Sequence, residues 1–174
     1  TVYVGDLAGA VYALDAATGQ GRWARPMQNV VLASPAVDGD YVYVASYDND
    51  VWAFDPENDG EVVWNYETGD AVSSSPAVVG DTLYVGGEDG KLHAVDTEQG
   101  VARWTVETGE EILSSPAVTE DGVYVGSTDS HVYAFGADGS VATDTPMPTA
   151  TPTEGTTTSD GGPGFGLLAG TAGL

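Results

Sequence analysis

The chain has 174 residues, with 27 Asp or Glu against 4 Lys or Arg and a formal charge of −23 at pH 7. That charge excludes most nucleic-acid binders, which need a basic face to neutralise phosphates. A hydrophobic content of 41% supplies the core of a folded domain, and the absence of cysteine removes disulfide frameworks, thiolate zinc sites and cysteine nucleophiles together. With Gly 24 and Pro 9, composition favours short strands joined by turns over long helices. The chain opens on Thr1 with no signal peptide, so a processed or truncated N-terminus is expected.

From the first residues onward the chain repeats. Tyr3, Tyr43, Tyr84 and Tyr124 are separated by 40, 41 and 40 residues. Trp23, Trp64 and Trp104 keep step with them, as do Pro35, Pro76 and Pro116, and Asp15, Asp55 and Asp96. One period shared by four markers means a repeated supersecondary unit. The third unit reads as strands over 75–79, 82–86, 91–95 and 101–106, each bounded by Gly, Asp or Pro turn signals. The second strand of each unit, Val2-Tyr3-Val4, Val42-Tyr43-Val44, Leu83-Tyr84-Val85 and Val123-Tyr124-Val125, is apolar on both faces of the pleat, so both faces must be covered. Small four-stranded sheets covered on both sides and repeating every 40 or so residues are the blades of a β-propeller. Ala13, Ala53, Ala94 and Ala134 recur in the third strand, where a small side chain allows close approach.

The units contain three, four, four and three predicted strands, about three and a half blades. The fold class is therefore all-β, a partial propeller forming an open arc over residues 1–140, because closure takes at least four blades of four strands. Upstream blades are expected to be missing. The fourth unit replaces the marker Asp by Gly136 and has no marker Trp.

These residues resemble the pyrroloquinoline quinone (PQQ)-like propeller repeat, with its tryptophan-docking pattern A-x-D-x-x-x-G-x-x-x-W. Ala13, Asp15, Gly19 and Trp23 fit it, as do Ala94, Asp96, Gly100 and Trp104; Ala53, Asp55, Gly60 and Trp64 fit with one extra residue in the turn, and the fourth unit retains only Ala134. Physically, Asp and Gly set a tight turn, after which a Trp of the outer strand can bury its ring against a neighbouring blade. The resemblance implies a structural role for these residues. The family holds quinoprotein dehydrogenases and non-catalytic relatives such as the assembly lipoprotein BamB, so it identifies fold and leaves activity open. WD40 repeats have a similar period, but the chain has neither Gly-His nor Trp-Asp dipeptides.

Little else carries chemistry, and no catalytic residue, cofactor or metal site is expected. Trp52 occupies the strand position also held by Tyr12, His93 and Tyr133, a packing position; His93 reads as half-buried and His131 as exposed near a turn. Asp55-Pro56-Glu57-Asn58-Asp59-Gly60 resembles the start of a calcium loop, but its twelfth position is Tyr66 where a bidentate Glu is required. Gly86-Gly87-Glu88-Asp89-Gly90-Lys91-Leu92 lacks the spacing and the Ser or Thr of a P-loop and reads as a hairpin turn. The Ser-Pro steps at Ser34, Ser75 and Ser115 mark strand starts rather than a nucleophile elbow.

Residues 141–161 are rich in Thr, with Pro146, Pro148 and Pro152, and read as an extended linker that is either an O-glycosylated stalk or a bare spacer. Residues 162–174 turn apolar after Pro163, Gly164 and Phe165 and resemble the start of the archaeal PGF-CTERM sorting signal. That resemblance implies processing by an archaeosortase, a lipid anchor and an extracellular protein held at the cell surface through its C-terminus. The apolar part is shorter than the roughly 20 residues that span a bilayer, and no basic residue follows, so truncation is expected here too. The functional expectation is a non-catalytic surface scaffold with protein partners; a fragment of a PQQ-dependent dehydrogenase with its catalytic residues in missing blades is the alternative.

All acids except Asp144, Glu154 and Asp160 lie within residues 1–140, mostly in turns such as Asp38-Gly39-Asp40 and Asp48-Asn49-Asp50. A dense acidic shell repels itself in dilute buffer and is relieved where salt screens it over a few ångströms, which points to a halophilic source; an acidic surface that binds calcium or a basic partner is the competing reading. The thermal midpoint is expected to rise from low to molar KCl; a flat or falling midpoint contradicts the halophile reading.

Overall fold

A computed structural model describes residues 1–146, the last five by their backbone alone. These residues form fifteen strands and no helix: β1 (Val2–Gly5), β2 (Ala10–Leu14), β3 (Gly21–Pro26), β4 (Ala36–Val37), β5 (Val42–Ala45), β6 (Asp50–Asp55), β7 (Glu61–Glu67), β8 (Ala77–Val79), β9 (Thr82–Gly86), β10 (Lys91–Asp96), β11 (Ala102–Glu107), β12 (Ala117–Val118), β13 (Val123–Gly126), β14 (His131–Phe135) and β15 (Val141–Pro146). They make four antiparallel meanders: β1-β2-β3, β4-β5-β6-β7, β8-β9-β10-β11 and β12-β13-β14-β15. These sheets are blades 1 to 4 of an open, partial β-propeller. The fourth blade differs from expectation. Its outer strand β15 lies in the Thr-rich segment read as the start of the linker, pairing Val132 with Thr145 and Ala134 with Thr143. A main-chain ladder needs donors and acceptors rather than apolar side chains, so composition misread it. Blade 4 is complete, and among the described residues only blade 1 has three strands.

Within each blade the register repeats. Tyr3 faces Ala13, which faces Trp23. Tyr43, Ala53 and Trp64 line up in the same way, and so do Tyr84, Ala94 and Trp104. In all four blades the ladder between third and fourth strands shifts just after the alanine, at Ala13/Leu14, Ala53/Phe54, Ala94/Val95 and Ala134/Phe135. A bulge at one place in every blade increases local twist and re-aims the residues beside it.

The core lies between blades rather than inside one. Tyr3, Val11 and Trp23 of blade 1 pack on Val42, Val44 and Phe54 of blade 2. Tyr43, Ala53 and Trp64 meet Leu83, Val85 and Val95 of blade 3, and Tyr84, Leu92 and Ala94 meet Val123, Val125 and Phe135 of blade 4. This is why the second strands are apolar on both faces: Val42, Tyr43, Val44 and Ala45 are all fully buried.

The connections between blades wedge into the same seams. Buried Val31, Val72 and Ile112 donate their N–H to the preceding hairpin, at Asp6 O (3.0 Å), Ser46 O (3.1 Å) and Gly87 O (3.0 Å). One residue earlier, Val30, Ala71 and Glu111 accept from Tyr47, Glu88 and Thr128 of the next blade. Each connection thus fastens two blades. The Ser-Pro serines add a further tie, with Ser34 N–H donating to Ser75 Oγ (2.9 Å) and Ser75 N–H to Ser115 Oγ (3.0 Å). Strand pairing begins two residues beyond each serine, at Ala36, Ala77 and Ala117.

Candidate functional site

The most fully built feature is the junction that each tryptophan makes with the next blade. The alanine between Tyr and Trp is small enough for the two rings to meet across it, with centroids 5.7 Å apart for Tyr3 and Trp23 and 5.8 Å for Tyr43 and Trp64 and for Tyr84 and Trp104. Trp23 continues to Phe54 of blade 2, 6.2 Å away. The far side of each ring lies on a glycine of the next blade. A Cβ on Gly60 would stand 2.7 Å from the Trp23 ring, and one on Gly100 2.6 Å from the Trp64 ring. Any larger residue would therefore push the indole out. Both glycines also have positive φ, 74° and 65°, a conformation that glycine adopts without steric cost.

The aspartate shapes the turn that presents the glycine. Asp15 Oδ1 accepts from the N–H groups of Ala17 and Thr18, Asp55 Oδ1 from Glu57 and Asn58, and Asp96 Oδ1 from Glu98 and Gln99. The turn then offers a carbonyl to the indole: Trp64 Nε1 donates to Thr97 O (2.8 Å) and Trp104 Nε1 to Ala137 O (2.9 Å). At the junction of blades 1 and 2, where the turn has one extra residue, Arg25 reaches across to Gly60 O (2.8 Å) and Asp59 O (2.9 Å). Arg22 and Arg103 pair with Asp15 and Asp96, holding the Asp15 carboxyl well below its ordinary range and lowering that of Asp96. The calcium-like run 55–60 is thus one of these turns.

Two features of the site escaped the sequence. In blade 4, Gly139 receives Trp104, its Cβ position 2.9 Å from that ring, although the marker Asp is replaced by Gly136 and the turn is shorter. The only signals were a glycine near the expected phase and the neighbouring Asp138, which caps the turn through Ser140 N–H. The second feature is a series of aspartate–aromatic pairs at the other end of the third strand. Tyr12 bonds Asp6, Trp52 Nε1 donates to Asp48 Oδ1 (3.3 Å), and Tyr133 Oη donates to Asp129 Oδ2 (2.6 Å). The Tyr133 bond holds Asp129 down at about 2. The signal was present: Asp48, Asp89 and Asp129 are separated by 41 and 40 residues, each four before the aromatic position.

His93 is the member of this series in blade 3, and it is 3% exposed, deeper than the half-buried position expected. Its Nδ1 lies 3.0 Å from Tyr66 Oη of blade 2 and its Nε2 3.3 Å from Asp89. Asp89 Oδ2 in turn accepts from Gly69 N–H of blade 2 (3.1 Å). Burial is the largest influence and lowers the His93 pKa below 6.5, against the pull of Asp89. The neutral ring therefore donates to the carboxylate and accepts from the tyrosine, joining blades 2 and 3.

An open cleft of about 740 Å³ lies beside this series, lined by Glu88, Glu107, Glu110, Glu111 and Lys91 among others. No group of three or more His, Asp or Glu among the described residues is placed to hold a metal ion. PQQ is a planar tricarboxylate and calls for cations around an open aromatic face. Here Arg22 and Arg103 are engaged by aspartates, Arg25 by two carbonyls, and Lys91 stands among acids. The described residues do not fit that cofactor. Pro163, Gly164 and Phe165 lie outside the described residues.

Sequence and structure comparisons agree with this geometry. The family described as outer membrane protein assembly factor BamB matches residues 1–74 and, in a second overlapping match, residues 57–142. Among solved structures, BamB from Moraxella catarrhalis superposes with a TM-score of 0.73 at 28% identity, over 82% of this chain and 48% of its own. The computationally designed Ika8 protein superposes with a TM-score of 0.74 at 17% identity, over 82% of this chain and 45% of its own, a likeness of fold alone. The chain thus spans about half the length of these structures. No curated protein sequence matches it.

Two outcomes are expected from this geometry. Trp64 is 9% exposed and Trp104 only half-buried. Trp64→Ala should cost about 3–5 kcal/mol in denaturant unfolding and Trp104→Ala distinctly less; equal small losses would show that the junctions carry little of the stability. Because the folded state binds fewer protons at His93 than the unfolded state, stability is expected to fall as pH drops below 6.5. The double variant His93→Tyr with Tyr66→Val, which copies the residues at the equivalent positions of the next seam, Tyr133 and Val106, should flatten that decline between pH 7 and 5. An unchanged slope would place the titration elsewhere.

Proposed function

We propose that this chain, which belongs to the BamB family of PQQ-like repeat proteins, works as a non-catalytic binding and assembly scaffold at a cell surface. The observation that supports it best is how the recurring residues are used. Tyr, Ala, Asp, Gly and Trp join one blade to the next, and the Asp–aromatic pairs of blades 3 and 4 each accept a main-chain N–H from the blade before. A propeller whose repeated residues serve to join its blades presents its turns and outer faces as a fixed platform for protein partners. The family's description as an assembly factor agrees with such a role.

The surface location is a proposal from sequence. The acidic shell suits a haloarchaeal exterior, residues 147–161 would act as the spacer, and Pro163, Gly164 and Phe165 would be read by an archaeosortase before lipid attachment. Replacing those three residues in a haloarchaeal host should leave unprocessed precursor in the membrane fraction; unchanged processing removes the anchor from the proposal.

The scaffold reading is tested by titrating the chain with PQQ and calcium, followed by calorimetry and quinone absorbance. No saturable binding is expected. Saturation near micromolar concentration would overturn the assignment in favour of a quinoprotein dehydrogenase.

A further inference from the structure

The seam between blades 3 and 4 lacks three groups that its neighbour has. Between blades 2 and 3, Tyr43 Oη donates to Asp38 Oδ2 (2.6 Å), the Thr97 side chain stands within reach of the same hydroxyl, and the Tyr41 ring lies edge-on to Tyr43 with centroids 6.3 Å apart. One blade on, the equivalent of Tyr43 is Tyr84, and Val79, Thr82 and Ala137 take the places of Asp38, Tyr41 and Thr97. A carboxylate, a ring and a hydroxyl are lost together around one tyrosine.

The result is a cleft of about 390 Å³, lined by Tyr84, Val79, Val118 and Val123 among others. That size lies within the range of small-molecule sites. Tyr84 is 5% exposed, and among the described residues its hydroxyl has no hydrogen-bond partner. Buried donors are ordinarily paired, because an unpaired one keeps its desolvation cost. At the exposed rim, Arg103 is bound through Nη2 to Asp81 and Asp96, at 2.8 Å each. Both blades that wall the cleft are described, so its shape is set by the seam itself.

We infer that this cleft binds a small neutral molecule in which an aryl ring is joined to a carbonyl oxygen. The ring would take the space that Tyr41 fills in blade 2, and the oxygen would accept from Tyr84 Oη as Asp38 accepts from Tyr43. Charge decides against ionic ligands. An anion would meet Asp81, Asp96 and Glu120 with only Arg103 among them. A cation would have to leave water for an end walled by valines, while Arg103 already occupies Asp81 and Asp96. The inference concerns this cleft and does not rest on the scaffold role.

Three probes of one shape and different charge test it: benzamide, benzoate and benzylamine, each titrated into the whole chain while backbone amide shifts are followed by NMR. Benzamide should saturate at roughly millimolar concentration, the affinity open to so few atoms, with the largest shifts at Val79, Thr82 and Val118. Benzoate and benzylamine should bind at least about tenfold more weakly. Tyr84→Phe keeps the ring and removes the hydroxyl, so benzamide should weaken by about fivefold. The same variant should leave the thermal midpoint unchanged, because no protein group loses a partner, whereas Tyr43→Phe should lower it by roughly 3 °C or more. The double variant Val79→Asp with Thr82→Tyr installs the blade 2 groups and should abolish binding.

Any of several results would overturn the inference. Benzamide might produce no saturable shifts, or shifts centred outside the cleft. Benzoate or benzylamine binding as tightly as benzamide would remove the neutral carbonyl as the recognised group. Binding that Tyr84→Phe leaves intact would remove the tyrosine. A midpoint that falls as far in Tyr84→Phe as in Tyr43→Phe would show that the hydroxyl is already paired.

Discussion

Everything in this arc depends on a large flat ring meeting a residue with no side chain. The indole of one blade lies on the glycine of the next, and three other choices follow from that contact. The residue between Tyr and Trp must be alanine, because anything larger would fill the space where the two rings approach at 5.7–5.8 Å. The turn holding the glycine must present it at positive φ, which the aspartate arranges by accepting two successive N–H groups. The bulge after the alanine recurs in every blade, beside the row that carries the tryptophan in blades 1 to 3 and Thr143 in blade 4. Since aromatic burial dominates core energetics, one blade alone has little to hold it together.

Stability is consequently a property of seams. Each seam combines an apolar core, a wedged connection with hydrogen bonds to both blades, and a link in the serine ladder. The bond between His93 and Tyr66 belongs to the seam between blades 2 and 3, because Tyr66 stands where the next blade has Val106; between blades 3 and 4 the Gly109 N–H donates instead to Tyr133 Oη (3.2 Å). Repeats that look interchangeable in sequence therefore differ in what they contribute. The seam between blades 2 and 3 has the most buried tryptophan and the buried histidine, while its bond from Gly69 to Asp89 recurs from Gly109 to Asp129 in the next seam.

The charge distribution is compatible with this economy of contacts. Acids are confined largely to turns, where many are already committed as caps: Asp15, Asp38, Asp55, Asp96 and Asp138 all accept main-chain N–H groups. Asp48, Asp89 and Asp129 serve a second use, each pairing with the aromatic four residues ahead. An acidic surface thus also performs local structural work, and its repulsion falls on loops rather than on the seams.

The amino-acid sequence by itself determined the period, the all-β class, the open arc and the residues of three docking motifs. Such features are local or periodic: strand alternation, turn residues and fixed spacing are visible without knowing what touches what. Tertiary structure decided the rest. The Thr-rich strand β15 has no compositional signal, since its pairing with β14 is made by main-chain groups. Gly139 looked like an ordinary turn glycine until Trp104 from the previous blade was placed on it. His93 was read from its own strand as half-buried, but its burial comes from blade 2. The difference between Gly19 and the other three glycines is invisible in the motif, because it depends on whether another blade stands in front of it. A repeat specifies both halves of an interface in every unit, and only the arrangement of units in space decides which halves meet.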